Sequence, residues 1–303
     1  MASKLSPDGG RIMAFSHAKN ILTIGSPLSS WKLLLATGIY TRPKYRAIWR
    51  TLLRPFIHNG EISVRYRCSE RYVTMLIRVS ELSSDLQCAL ELAVRDEYHL
   101  DQHFQPDLVI DGGGNIGLFT LRAAASFLDS PAKFVICEPM AHNIERIQRH
   151  LAINHMNAEI QRGCLGGTRR SMPFYCRESI NSSFDPAKPY DSVIDVPVYL
   201  LEDAIGSYPA KRILIKLDIE GMEVEALSAF VPSEQRPVYV VGELHDISIN
   251  APVMERLFQD HGWTYELGEA ADDQALFRAC SPAALPLLPS MASLKKEKIS
   301  ELA

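Results

Sequence analysis

The residues with the most evident chemistry are four acids and one histidine that follow short apolar segments of the chain. They are Asp111, Glu138, Asp218, Glu243 and His245. Each apolar segment is predicted to be a strand of a mostly parallel sheet, and the carboxyl ends of such strands meet at one edge, where open α/β sheets bind their ligands. We therefore expect these side chains to converge on a single ligand-binding edge.

Glycines dominate the sequence directly after the first of these segments. Residues 107–110 lead into Asp111, three glycines, Asn115 and Gly117, and a helical pattern follows. Such a loop brings a ligand against bare backbone, and its spacing also satisfies the dinucleotide pattern G-x-G-x-x-G. Glu138 ends the next predicted strand, where an acid can bind ribose hydroxyls. The predicted cofactor-binding residues are Asp111, Gly112, Gly113, Gly114, Asn115, Gly117, Glu138 and Pro139.

The side chain of Asp111 indicates which cofactor the loop binds. A carboxylate directly before the loop suits a cationic ligand better than a pyrophosphate. S-adenosylmethionine carries a sulfonium and an ammonium group, whereas NAD carries two phosphates. We therefore expect S-adenosylmethionine, with NAD as the alternative.

A second group of side chains is predicted to act on the methyl acceptor. Transfer to a hydroxyl requires that the hydroxyl lose its proton as the new bond forms. The candidate catalytic residues are His245, Glu243, Asp218 and Glu220, and His245 is attractive because its ordinary pKa lies near neutrality. Nothing in the spacing demands a metal, so none is predicted; a divalent cation held by these acids and the histidine is the alternative. The Asn/Asp-Pro-Pro-aromatic loop that holds an exocyclic amine is absent from the sequence, which disfavours amine methylation.

Short apolar segments alternate with helical periodicity after residue 105, which predicts βαβ units. Strands are predicted at 108–110, 134–137, 158–161, 213–217, 238–241, 264–267 and 275–278. Helices are predicted at 116–127, 142–154, 222–230 and 253–261. Residues 166–197 are interpreted as an elaborated loop of the lid or substrate-binding type. Lys216 lies within a strand and would be costly to bury unpaired, so we expect it to pair with an acid or reach solvent.

The predicted organisation has four parts. Residues 1–25 form a loose lead-in, and residues 26–104 form a region with a helix at 44–53 and an antiparallel pair of strands at 61–67 and 72–79. Residues 105–280 form the catalytic domain. Residues 281–303 are expected to be a weakly ordered tail.

Composition indicates a soluble globular protein. The 303 residues are 47% hydrophobic and 22% charged with a net charge of -4, so no global basic field draws the chain onto nucleic acid. Its 6 cysteines lack zinc-binding spacing and indicate a reducing compartment. We expect a cytoplasmic protein, because the sequence shows neither a secretory apolar run nor a segment of ~20 apolar residues that could span a membrane.

A basic stripe is the feature of the N-terminal region that suggests a partner. Arg42, Arg46, Arg50 and Arg54 recur every four residues, and no acid occurs between Thr41 and Pro55. On a helix these arginines form one cationic face beside apolar side chains, which suits an anionic glycolipid or a membrane surface. A helix packed in the ordinary way by its apolar side is the simpler interpretation.

Several blocks of the sequence resemble, in the same order, the FkbM-type family of S-adenosylmethionine-dependent methyltransferases. The resemblance covers most of residues 91–245. Its blocks are Glu97-Tyr98, residues 109–119, Glu138-Pro139, Asn154, residues 196–203, Lys216-Leu-Asp218-Ile-Glu220-Gly221-Met-Glu223 and Glu243-Leu-His245. The last two blocks are specific in combination. The sequence departs from the family pattern at Gly114, where Ala is usual, and at Glu202, where Asp is more frequent.

The resemblance implies an α/β class I methyltransferase (Rossmann-like) fold. Such a fold has a seven-stranded, mostly parallel sheet with helices on both faces and one reversed strand near the C-terminus. The resemblance also implies O-methylation, commonly of sugar hydroxyls in glycans, glycolipids or glycosylated natural products. The alternatives are an NAD-dependent oxidoreductase and a non-catalytic S-adenosylmethionine-binding scaffold.

Overall fold

The computed structural model describes residues 26–41, 45–68, 71–80, 82–90, 98–127, 131–176, 184, 190–271 and 273–293. The chain divides into two compact units, residues 1–97 and residues 98–303. The predicted lead-in at 1–25 and the last part of the predicted tail, 294–303, lie outside the described residues.

The N-terminal unit combines helices with a three-stranded antiparallel sheet. Its elements are α1 (Pro27–Thr41), α2 (Arg46–Leu53), β1 (Ile57–His58), β2 (Glu61–Cys68), β3 (Arg71–Arg78) and α3 (Leu82–Leu90). β2 pairs with both β1 and β3, and the predicted antiparallel pair corresponds to β2 and β3. The alternate residues Ile62, Val64 and Tyr66 are buried, because the period of a strand places them on one face.

The second unit contains the predicted alternation of strands and helices. Its strands are β4 (Leu108–Gly112), β5 (Lys133–Cys137), β6 (Glu159–Gln161), β7 (Cys164–Leu165), β8 (Arg170–Cys176), β9 (Ser192–Tyr199), β10 (Ile213–Leu217), β11 (Val238–His245), β12 (Thr264–Leu267) and β13 (Gln274–Cys280). Its helices are α4 (Leu118–Ser126), α5 (Ala141–Ile153), α6 (Leu201–Ile205), α7 (Glu223–Phe230) and α8 (Ile247–Asp260). α8 begins six residues earlier than predicted, because the prediction started the helix after Pro252, which lies inside it.

Seven of these strands form one sheet in the order β12-β13-β11-β10-β4-β5-β6. The pairs from β11 to β6 are parallel, whereas β13 runs antiparallel to both of its neighbours. The predicted α/β fold with a mostly parallel seven-stranded sheet and a reversed strand near the C-terminus is therefore confirmed.

The carboxyl ends of β4, β5 and β10 lie level with one another, and β11 continues past them to His245. Leu217 at the end of β10 is in register with Gly112 of β4 and with Gly242 of β11, and Gly112 is in register with Cys137 of β5. From β4 the chain proceeds outward through β5 and β6, and it then returns to the other side of β4 as β10. The boundary between β4 and β10 is thus the point where strand order reverses, which is where such sheets bind ligands.

Part of the segment predicted as a loop, 166–197, is a small sheet. β7, β9 and β8 pair in that order, with β8 antiparallel to β9. The prediction was wrong for these strands because the Ser-, Asn- and Pro-rich residues between them obscured their alternation. Phe174, Cys176, Val196 and Val198 are buried at alternate positions, as a strand with one covered face requires.

Residues 281–293 also differ from the expected weakly ordered tail. The side chains of Ala284, Leu288 and Met291 are completely buried. Ser281 connects this segment to the sheet, because its Oγ accepts a hydrogen bond from the backbone N–H of Val238 at 3.0 Å. The Ala/Pro/Leu composition of this segment therefore reflects packing and not a linker.

We predict that Leu288→Ala lowers the free energy of unfolding by about 2–5 kcal/mol, because it leaves a cavity in a fully buried environment. Chemical denaturation of the full chain measures this change. Ile249→Ala, at a side chain that is 70% exposed, is the matched control and should change stability by less than ~0.5 kcal/mol. Equal effects of the two substitutions would show that residues 281–293 do not contribute to the core.

Candidate active site

The loop between β4 and α4 requires glycine on steric grounds. Gly113 and Gly117 have φ values of 73° and 85°, and a Cβ atom on Gly113 would lie 1.9 Å from the carbonyl oxygen of Asp218. Asn115 also has a positive φ, of 46°, which asparagine tolerates better than most residues. The N–H groups of Gly113 and Gly114 both donate to the carbonyl of Cys137 at 3.0 Å. The loop is therefore fixed to the ends of both β5 and β10.

The departure from the family pattern at Gly114 has a local steric reason. A Cβ atom at this position would lie 2.3 Å from Cγ2 of Ile136. At Gly112 a Cβ atom would lie 2.8 Å from Cδ1 of Leu165 in β7. The glycines thus allow close packing of the sheet edge.

Lys216 joins the glycine loop to the end of β10. Its ammonium donates hydrogen bonds to the carbonyls of Gly112 at 3.1 Å and Gly113 at 2.6 Å. The same Nζ lies 3.7 Å from Oδ1 of Asp111 and 3.5 Å from Oδ2 of Asp218. Burial opposes the charge, but the two carboxylates outweigh it and raise the pKa of Lys216. The expectation that Lys216 pairs with an acid is confirmed.

Asp111 lies within the core at the end of β4. Its side chain is 1% exposed, and its Oδ2 accepts a hydrogen bond from Oγ1 of Thr120 at 2.7 Å. Burial raises the pKa of Asp111, although Lys216 and Thr120 act in the opposite direction. In this structure the carboxylate supports the base of the glycine loop, and its contact with the cofactor stays a prediction.

Glu138 connects the glycine loop to α5. Its Oε2 accepts a hydrogen bond from the N–H of Asn115 at 2.8 Å, and its Oε1 accepts from the N–H of Met140 at 2.9 Å and from Nδ2 of Asn143 at 3.1 Å. Burial raises the pKa of Glu138 to about 7, against the effect of these hydrogen bonds. Pro139 is buried in the turn that follows. The carboxylate is therefore held at the carboxyl end of β5, beside the loop.

The predicted catalytic residues come together at the ends of β10 and β11. One ligand atom from each of Asp218, Glu243 and His245 lies within 4.8 Å of the others. Oε2 of Glu220 lies 3.9 Å from Nε2 of His245. The hydroxyl of Tyr98 donates to Oδ2 of Asp218 at 3.4 Å. We call Asp218, Glu220, Glu243 and His245 the acidic cluster.

Glu223 was not among the predicted site residues, although it ends the block 216–223 that resembles the family. It is completely buried, and its Oε1 accepts hydrogen bonds from the N–H groups of Ile219 at 3.0 Å and Gly221 at 3.2 Å. Nδ1 of His245 lies 3.1 Å from the same oxygen. Burial lowers the pKa of His245, but Glu223, Asp218 and Glu220 together outweigh this effect and raise it to about 9. The position of Glu223 in the first turn of a predicted helix is the feature of the sequence that could have identified it. An acid there accepts hydrogen bonds from backbone N–H groups and can orient a nearby side chain such as His245.

The basic stripe lies only partly within the described residues. Arg42 and the side chain of Arg46 fall outside them, whereas Arg50 and Arg54 are exposed. The apolar side chains of Tyr45, Ile48 and Leu52 in the same stretch are 52%, 59% and 49% exposed. Among the described residues, the helices are too short or too polar to cross a bilayer.

A family model described as the Methyltransferase FkbM domain matches residues 111–265. The match begins at Asp111, includes Glu138 and the acidic cluster, and extends over just over half of the chain. The chain belongs to the FkbM methyltransferase family. The resemblance seen in the sequence is thus confirmed for residues 111–265.

Two solved structures are similar to this FkbM protein at low identity. A methyltransferase FkbM from Methylobacillus flagellatus KT is 15% identical with a TM-score of 0.41, and the match covers 66% of this chain and 53% of that one. The chain therefore spans just over half the length of that relative. TYW2 from M. jannaschii, solved in complex with AdoMet, is 11% identical with a TM-score of 0.41, and the match covers 74% of this chain and 87% of that one. No curated protein matches the sequence.

We predict that Lys216→Met lowers the free energy of unfolding by about 3–5 kcal/mol, because it leaves the buried Asp111 without its ion pair. Denaturation of the full chain measures the loss, and Lys211→Met, at an exposed lysine, is the control. Adding Asp111→Asn to the Lys216→Met variant should recover part of the loss, since the uncompensated charge is then removed. No recovery in the double variant would show that the carbonyl contacts, and not the charge, explain the effect of Lys216.

The pKa of Glu138 predicts a pH dependence of stability. Burial raises this pKa from 4.5 to about 7, so the folded state binds more protons than the unfolded state between these values, and stability falls as pH rises through this window. The loss amounts to at most about 3 kcal/mol. We expect the difference in unfolding free energy between wild type and Glu138→Gln to change by this order from pH 4.5 to 7.5. A difference that is constant with pH would contradict the burial effect.

Proposed function

We propose that this FkbM protein is an S-adenosylmethionine-dependent O-methyltransferase that acts on a sugar hydroxyl of a glycan, glycolipid or glycosylated natural product. The observation that carries the proposal is the acidic cluster, which lies at the ends of β10 and β11, next to the point between β4 and β10 where strand order reverses. A methyl donor in the loop and an acceptor at the cluster would lie next to each other, as an in-line transfer requires.

The residues of the loop fit the cofactor. Glycine at 113 lets the loop pack directly against the Asp218 carbonyl, which holds the loop backbone at the end of β10, where we propose that the methionine part of the cofactor binds. Glu138 presents a carboxylate at the end of β5, and carboxylates accept hydrogen bonds from ribose hydroxyls. Asn115 and Gly117 adopt the positive φ values that the same turn requires. Asp111 contacts the loop indirectly, through its ion pair with Lys216, which donates to the Gly113 carbonyl. When bound, S-adenosylmethionine supplies a methyl group on a positively charged sulfur.

The acidic cluster supports a hydroxyl acceptor. Carboxylates accept hydrogen bonds and cannot donate them when ionised, which suits a ligand that carries several hydroxyl donors. Asp218, Glu220 and Glu243 are the carboxylates that this chain offers to orient the acceptor. His245 takes up the proton of the acceptor in its unprotonated form, whose fraction grows as pH approaches the raised pKa of about 9. Glu223 fixes the ring of His245 through Nδ1, so the ring presents Nε2 to the cluster.

The small sheet of β7, β8 and β9 is proposed to bind the rest of the acceptor. It is anchored to α7, because Arg170 forms an ion pair with Glu225 and the N–H of Gly167 donates to the same carboxylate at 3.0 Å. Leu165 packs against the position of Gly112 in the loop. The sheet thus borders the glycine loop, where it can select among acceptors.

The compartment and the surface contacts are also proposals. The six cysteines are free and buried, which supports a reducing compartment such as the cytoplasm. Arg50 and Arg54, together with the exposed Ile48 and Leu52, support contact with a lipid-linked or anionic acceptor.

We predict that His245→Ala lowers the rate of methyl transfer by ~10²–10⁴ while the affinity for S-adenosylmethionine stays within about threefold of wild type, because His245 acts on the acceptor side. Transfer of a labelled methyl group to a panel of glycans and glycolipids measures the rate, and calorimetry measures the affinity. His261→Ala, at an exposed histidine, is the control.

The same assay tests the function as a whole. Nuclear magnetic resonance of the product should place the methyl group on a sugar oxygen. A methyl group on nitrogen or carbon would contradict O-methylation. Cofactor binding without turnover on any acceptor would favour the non-catalytic scaffold. Near-normal turnover of His245→Ala would remove this residue from the mechanism.

A further inference from the structure

The acidic cluster has the composition of a metal site. Asp218 and Glu243 offer carboxylate oxygens and His245 offers a ring nitrogen, and these three atoms lie within 4.8 Å of one another. Two ligands that bind one ion at ~2.0–2.6 Å are at most ~4–5 Å apart. The three side chains are therefore close enough to share a single ion after small rotations.

We propose that Asp218, Glu243 and His245 bind a divalent first-row cation, which activates the acceptor hydroxyl. That the site binds an ion does not depend on the proposed function. The role of the ion in methylation rests on the proposed function.

The orientation of His245 is a second observation that points to a ligand at this place. The ring is 6% exposed, and its Nδ1 is engaged with the completely buried Glu223 at 3.1 Å. With the Nδ1 proton directed at Glu223, Nε2 is the nitrogen left for the cluster, and it lies 3.9 Å from Oε2 of Glu220. Metal-binding histidines characteristically donate their other N–H to a carboxylate, which fixes the ring and increases its basicity.

The charges around the cluster favour a cation. Asp218, Glu220, Glu223 and Glu243 are four acids, and Lys216 is the nearby lysine that offsets them. Lys216 and Tyr98 both contact Oδ2 of Asp218, so neither of these contacts uses Oδ1. A cation at Nε2 of His245 would take the place of a proton and would also offset the remaining acids.

The ligand set indicates the kind of cation. Mg²⁺ and Ca²⁺ prefer oxygen ligands alone, whereas a set of one imidazole and two carboxylates suits first-row ions such as Mn²⁺. Three protein ligands leave positions for the acceptor oxygen. In the reaction the O–H bond breaks and its proton passes to Glu220, the carboxylate of the cluster that is not a ligand of the ion. The O–CH₃ bond forms, and the S–CH₃ bond breaks with its electron pair remaining on sulfur. The cation lowers the pKa of the bound hydroxyl and so assists the loss of its proton.

The binding of Mn²⁺ to the EDTA-treated full chain tests the site directly. Electron paramagnetic resonance counts free Mn²⁺, and we expect one bound ion per chain. Asp218→Asn, Glu243→Gln and His245→Gln should each weaken binding at least tenfold, whereas Glu269→Gln should leave it unchanged. Circular dichroism and calorimetry with S-adenosylmethionine show that each variant is folded. Absence of stoichiometric binding up to ~1 mM Mn²⁺, or equal binding by wild type and the cluster variants, would overturn the proposal.

Methyl transfer then separates this proposal from the proposed function. If both hold, transfer falls at least tenfold after EDTA treatment and returns with Mn²⁺, while cofactor affinity is unchanged. Transfer at the full rate in EDTA would overturn activation by a cation and leave the O-methyltransferase in place. One Mn²⁺ bound at the cluster, with no acceptor methylated, would support the cation site and contradict the proposed function.

Discussion

The ammonium group of Lys216 holds the ligand-binding edge together. It is enclosed at the end of the central strand β10, where burial of a single unpaired charge would be strongly unfavourable. Two acids and two glycine carbonyls satisfy it, and these partners belong to the strand end and to the loop of β4. These partners lie on both sides of the point where strand order reverses. Lys216 therefore connects two halves of the edge, one formed by the ends of β4 and β5 and the other by the ends of β10 and β11.

The two halves satisfy their polar groups differently. On the side of β4 and β5, the carboxylate of Glu138 accepts hydrogen bonds from the N–H groups of Asn115 in the loop and of Met140 before α5, so this half is ordered by backbone contacts. On the side of β10 and β11, carboxylates lie near one another around His245. The half at β4 and β5 therefore has a shape that its own hydrogen bonds determine. At β10 and β11, repulsion between the carboxylates favours the binding of a positively charged or proton-donating ligand.

The main sheet and the acids at its edge could be predicted from the sequence because both follow from patterns within short stretches of the chain. Apolar segments that end in Asp111, Asp218 and Glu243 indicate strands and their ligand-binding ends. The sequence did not predict β8 and β9, since their pairing depends on partners that are distant along the chain. Glu223 was missed for the same reason: its contact with His245 joins α7 to β11, and no spacing along the chain encodes that distance.

The contact between Gly113 and the carbonyl of Asp218 leaves no room for even one additional carbon atom. The glycine loop and the residues after β10 are therefore in direct backbone contact here. A shift of the backbone on either side of this contact would displace the other side. The small sheet of β7, β8 and β9, which we propose binds the acceptor, borders this edge without forming it. Apart from Leu165, which packs against Gly112, and Arg170, which pairs with Glu225, its positions lie outside this steric constraint.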